Sequence, residues 1–182
     1  MTEIANRYER IADAFSARID AVPPGAWAKQ SPCEDWSAHD VVKHVVDTTR
    51  GFLTRLSGGD PTPPDTGEDV VTAWKVESAA VQAALHDPAK AATKVKGMGG
   101  EQAFEDLIGT VLCADTLIHT WDLARATGQY DTLDPAAVEA AHAFLEPNDA
   151  MLRGPGAFGA KIDPPEGADE QTRLLCFVGR HP

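Results

Sequence analysis

Residues 104–128 read FEDLIGTVLCADTLIHTWDLARATG. Phe104, Ile108, Val111 and Ile118 recur at helical steps along one stripe. The spacing predicts a helix from about residue 101 to about residue 126, with Gly128 as its C-terminal cap. Asp115, His119 and Asp122 stand in that stripe where apolar side chains are due. A buried carboxylate without partners is expensive, so Asp115 needs a cation or hydrogen-bond donors beside it. Asp115 and His119 are four residues apart, face the same way and can grip one divalent ion. They can also satisfy each other by hydrogen bonding, or see water if the stripe is tilted.

The same periodicity runs outward from this stretch. Ile4, Tyr8, Ile11, Phe15 and Ile19 define a first helix, stopped by Pro23-Pro24-Gly25. Ser37-Ala38-His39-Asp40 reads as a capping box that opens a second, carrying Val41, Val42, Val45, Val46, Phe52, Leu53 and Leu56. Gly58-Gly59 and PTPPDTG at 61–67 predict a surface connection. Val70, Trp74, Val81 and Leu85 mark a third helix, limited by Pro88. Residues 93–96 fit a short strand or an extended crossing. Asp134-Pro135 looks like the N-cap and first position of a shorter helix ending near Leu145. The Gly- and Pro-rich stretch 147–168 reads as a packed tail, and Leu174, Leu175, Phe177 and Val178 as a last short helix or apolar plug. Four long helices without strand alternation predict an all-α fold, a four-helix bundle. One domain over 1–182 is expected, with the core bundle at about 1–128 and a C-terminal extension at 129–182.

Composition bounds the function. The 182 residues carry 16 Lys and Arg against 28 Asp and Glu, a net charge of −12. Nucleic acid and anionic membrane are therefore excluded as nonspecific partners, since both need a basic surface. No apolar run reaches the length of a membrane span, and the charged, amphipathic N-terminal stretch has no signal core, so a cytoplasmic protein is expected. Three cysteines without paired spacing fit a reducing compartment and exclude a disulfide framework. Motifs of serine hydrolases, P-loop proteins, dinucleotide-binding folds and zincins are absent from the sequence.

A third ligand candidate is His44, on the Val-rich second helix. It is either a core histidine or, with Asp115 and His119, one of three ligands leaving an open position, the pattern of a catalytic metal site. His39 points about 140° away from it and reads as a surface residue. His86 suits a helix end. Glu139 and His142 form a single E-x-x-H, where a di-iron bundle needs two. Cys113 and Cys176 read as core fillers, and Cys33, with no His or Arg adjacent in sequence, as structural.

Two segments carry a family resemblance. Ser31-Pro32-Cys33-Glu34-Asp35-Trp36, followed by Asp40-Val41-Val42-Lys43-His44-Val45-Val46, resembles the T-P-C-x-x-W…D-L-V-x-H-L-V opening of the DinB-like, mycothiol-dependent maleylpyruvate isomerase superfamily. Asp115 to Gly128 is similar to its second motif, D-x-x-x-H-x-W-D-L-A-x-A-T-G, and in the tail Ala157-Phe158-Gly159 and Arg173-Leu174-Leu175 through Gly179-Arg180-His181-Pro182 resemble a stand-alone actinobacterial metal-binding subgroup. The resemblance implies a bundle holding one divalent metal on His44, Asp115 and His119. Zinc is the expected ion, with nickel, manganese, iron and cobalt compatible with the same donors. Asp115 replaces the Glu of the isomerase branch, and 129–182 is too short for that branch's second domain. The implied activity is thus a thiol S-transferase: a low-molecular-weight thiol, mycothiol by family, is activated as a metal-bound thiolate and attacks an electrophile. The alternative is a non-enzymatic metal-containing bundle, a sensor or a binding or stress protein.

Around that site, Asp122 either supports a ligand from behind or bonds backbone. Trp36 and Trp121 line the pocket or fill the core. Arg125 meets an anionic group or pairs with a surface Asp. The expected partners are a small thiol and an electrophile, and the chain is expected as a monomer or homodimer.

Overall fold

The computed structural model describes residues 2–59, 67, 69–97, 99–153 and 158–182. Helix α1 (Glu3–Asp20) buries Tyr8, Ile11, Phe15 and Ile19 on one face. Helix α2 (Ala38–Leu56) opens on the expected capping box: Ser37 Oγ accepts from the Asp40 amide, and the Asp40 carboxylate accepts from the Ser37 amide at 2.9 Å. Ser37→Ala is expected to cost about 1 kcal/mol of stability, read as a lower urea midpoint at unchanged slope. Helix α3 (Val70–His86) is tied to α1 by Trp74, whose ring meets Phe15 edge-on at 4.9 Å and whose indole N–H donates to Ser16 Oγ at 2.8 Å. The fold is all-α and DinB-like, with one small sheet among the described residues.

That sheet corrects the expected start of the fourth long helix. After the single-turn α4 (Pro88–Ala91), β1 (Lys94–Gly97) pairs antiparallel with β2 (Gly100–Ala103). Residues 101–103 therefore belong to a strand. Glu101 pairs with Lys96, and the Phe104 amide donates to the Thr93 carbonyl, so the helix begins only at Phe104. It then runs as α5 (Phe104–Leu107), a π-helical turn (Ile108–Leu112) and α6 (Cys113–Thr127). The π turn is met by side chains of α1. Arg7 donates to the Gly109 carbonyl at 3.1 Å, drawing it from the helical ladder. Gly109 also admits Ile4 of α1, which would lie 3.0 Å from any Cβ there.

Helix α1 packs on α3 and α6, and α2 packs on the same two, so α1 and α2 stand diagonally in the bundle. The loop between them crosses one end of it. Helix α7 (Pro135–Leu145), with Asp134 as N-cap, covers the outer side of α6. A 3-10 segment (Glu146–Leu152) follows, and α8 (Glu170–Phe177) packs on α7. Arg153 fastens this extension by donating to the carbonyls of Gly159 and Phe177. The connection expected at 61–67 lies outside the described residues except for Gly67, as do Met98 of the 97–100 turn and Ala157 of the tail motif. No helix among the described residues is long and apolar enough to cross a membrane.

Candidate metal centre

Helices α2 and α6 pack side by side and bring His44, Asp115 and His119 together. His44 Nε2 lies 3.1 Å from Asp115 Oδ1, and His119 Nε2 lies 3.5 Å from the same oxygen. One donor atom from each of the three residues fits within 4.8 Å of the others. The second Asp115 oxygen, Oδ2, is buried and has no hydrogen-bond partner. A buried acceptor left unsatisfied needs a physical reason.

The orientation of His119 sharpens that need. Its Nδ1 lies 2.9 Å from Asp122 Oδ2. With Nδ1–H donating there, a neutral ring turns the Nε2 lone pair towards the Asp115 carboxylate. Lone pair and carboxylate repel unless a cation joins them, either a proton or a metal. Burial disfavours charge on His119, but the Asp115 and Asp122 carboxylates outweigh it and raise its pKa well above the ordinary value. Burial likewise opposes ionisation of Asp115, and the two imidazoles outweigh it and hold the carboxyl well below the usual range. Two imidazoles facing Asp115 Oδ1, with Oδ2 of the same carboxylate buried and unpartnered, fit a divalent ion of the zinc or iron class.

The loop before α2 supplies the roof. Gln30 Nε2 lies within hydrogen-bond reach of the carbonyls of Ser31, Cys33 and Trp36, and the Ser31 amide donates to Trp36. This staples the S-P-C-E-D-W turn into one shape, with Asp35 at a positive φ of 61°. Trp36 is thereby set against both histidines, 4.8 Å from the His44 ring and 5.8 Å from the His119 ring.

Asp122 is fully buried and takes the supporting position. Burial pushes its pKa up, but hydrogen bonds from His119 and Arg180 prevail and bring it down to about 2. Cys33, read from sequence as structural, stands in the same cluster. Its Sγ lies 3.2 Å from Asp122 Oδ2 and 3.0 Å from Arg180 Nη2. Chain separation hid both contacts: Arg180 is 147 residues away from Cys33. The signal that existed was the position of Cys33 within the S-P-C-x-x-W segment.

Cys33, Trp36, His44, Asp115, His119 and Arg180 open onto a cavity of about 590 Å³. Val111 and Ala114 from the helical run, Phe144 and Leu145 from α7, and Leu152 and Phe158 from the extension form apolar wall around it. Two expected pocket residues are not in that wall. Trp121 is buried in the core with the Arg125 guanidinium 5.4 Å from its ring centroid, and Arg125 pairs with Asp131 at 3.2 Å. The remaining histidines stand apart. His39 and His86 are exposed, and His142 faces Glu170 at 3.4 Å rather than joining Glu139.

The sequence profile of the mycothiol maleylpyruvate isomerase N-terminal domain matches residues 8–124. The chain belongs to that family. An uncharacterized protein of Mycobacterium tuberculosis, named MT0763 in one strain and Rv0738 in another, is 32% identical over 178 residues, covering 95% of each chain. No solved structure matches. The matched span contains every residue of the His44–Asp115–His119 cluster, together with Cys33, Trp36 and Asp122. Arg180 falls outside it.

Proposed function

We propose that this protein is a divalent-metal-dependent thiol S-transferase, joining the sulfur of a low-molecular-weight thiol to an electrophilic carbon of a second substrate, with the leaving group of that carbon and the thiol proton released. Mycothiol, the thiol in the family's name, is the proposed cosubstrate, and zinc the preferred ion. The observation that carries this reading is the convergence of His44, Asp115 and His119, with Asp115 Oδ2 unpartnered, on the wall of the cavity. A divalent ion held by those three residues supplies the Lewis acidity that lets a thiol lose its proton near neutral pH.

The chain's own residues account for the rest. Asp122 fixes the His119 ring so that Nε2 faces the cluster. Trp36 packs on both imidazoles and limits their rotation. Val111, Phe144, Leu152 and Phe158 give the cavity an apolar wall suited to the carbon skeleton of an electrophile.

Elemental analysis of untagged protein, prepared without chelator, tests the reading first. About one equivalent of a divalent metal per chain is expected. The loaded protein should then accelerate consumption of monochlorobimane by mycothiol, and chelation should abolish that rate. Absence of metal after incubation with zinc, nickel or manganese overturns the reading. Metal without thiol turnover leaves the non-enzymatic bundle.

A further inference from the structure

We infer that Arg180 is a positioning residue for the metal centre, acting through Asp122 and His119. The inference rests on the ligand set proposed above. The Arg180 side chain is only 10% exposed and that of Asp122 is fully buried. Arg180 Nε donates to Asp122 Oδ1 at 2.8 Å, and Nη2 donates to Asp122 Oδ2 at 2.9 Å. This is a two-pronged clasp that only a guanidinium makes. Nη2 also reaches Cys33 Sγ at 3.0 Å, and Nη1 lies 3.3 Å from the Val178 carbonyl. Every nitrogen of the group is engaged, so its work is to hold other residues rather than to wait for an anionic ligand.

The clasp fixes the atom that matters. Asp122 Oδ2 is the acceptor for His119 Nδ1–H at 2.9 Å. With both carboxylate oxygens pinned by Arg180, Asp122 cannot rotate away. The His119 ring is then held with Nδ1 against Asp122 and Nε2 towards Asp115. Cys33, His119 and Asp122 also lie close enough to hold a metal themselves. The guanidinium lies against two of those three donors, so it supplies there the cation that this second cluster attracts.

Local backbone geometry delivers Arg180 to this place. Helix α8 ends in a Schellman turn: the Gly179 amide donates to Cys176 and the Arg180 amide donates to Leu175 at 2.8 Å. Gly179 has φ +81, and a Cβ there would lie 2.8 Å from the Ala160 carbonyl. Only glycine therefore fits, and the residue after it is turned back onto the bundle.

The test is a zinc titration of R180Q and R180K against a competing chromophoric chelator, beside wild type, with circular dichroism and melting of the metal-free proteins. R180Q is expected to bind zinc about 10–100-fold more weakly than wild type. R180K, which keeps the charge but loses the two-pronged geometry, is expected to fall between them. An arginine that merely anchored the tail would lower the melting temperature and leave zinc affinity unchanged. Wild-type affinity in R180Q therefore overturns the inference and spares the ligand set. Should R180Q fail to fold, R180K decides in the same way. A wild-type chain that binds no zinc overturns both.

Discussion

His119→Ala is expected to abolish divalent-metal binding and to leave the helices in place. His119 is the one residue that faces both carboxylates of the cluster: Nε2 lies 3.5 Å from Asp115, and Nδ1 lies 2.9 Å from Asp122. Its removal leaves one imidazole and one carboxylate, too few to close a tight site, and a loss beyond about 100-fold in affinity is expected, more than an outer-shell change produces. Elemental analysis after dialysis, paired with far-ultraviolet circular dichroism, reads both halves of the prediction. The fold should survive because the bundle rests on Tyr8, Phe15, Trp74, Phe104, Ile108 and Ile118, all fully buried and distant in role from the imidazole. Stability should fall by about 1–3 kcal/mol, since Asp122 loses a buried donor. His44→Ala should lose the metal as well, with a smaller cost to the metal-free protein, because the His44 side chain is one-third exposed at 34%. Wild-type metal content in either variant removes that residue from the ligand set.

The bundle was legible because its helices announce themselves locally. The Ser37–Asp40 box, the Asp134-Pro135 start and the stripe from Tyr8 to Ile19 need no tertiary information. Helix α6 shows the limit of that reading. It is buried nearly all round, because α1, α2 and α7 pack against it, so its sequence has little polar face to set the stripe in relief. The short strand read at 93–96 is present as β1, whereas β2 was missed because residues 100–103 are exposed or half-buried and show no apolar alternation. The π turn depends on Arg7 and Ile4, more than a hundred residues upstream. Asp115 and His119 stood out as charges in an apolar stripe, and His44 as a histidine among valines. Arg180 and Cys33 carried no such local anomaly. Their meaning lies in a clasp between the loop before α2, helix α6 and the turn after α8, which only the folded chain assembles.

Asp122→Ala is expected to be the most destabilising change in this cluster, at about 3–5 kcal/mol. Removing the carboxylate strands the Arg180 guanidinium, 10% exposed, beside a thiol and a backbone carbonyl. It also leaves His119 Nδ1–H without its acceptor. Unpaired buried charge is costly, whereas removal of both partners is milder. The double variant D122A/R180Q should therefore cost less than the sum of its parts, a coupling that a mutant cycle measures directly. Asp122→Asn keeps an acceptor for His119 but loses the charge, and should fall between Ala and wild type. Urea unfolding of the metal-free proteins is the right measurement, because bound metal adds stability by mass action and would mix ligand loss with structural loss. Metal-free Asp122→Ala within about 0.5 kcal/mol of wild type, the range of an ordinary surface change, would show that water already reaches the pair. In that event, the fixed tautomer of His119 would have to be supplied by the metal itself rather than by the fold.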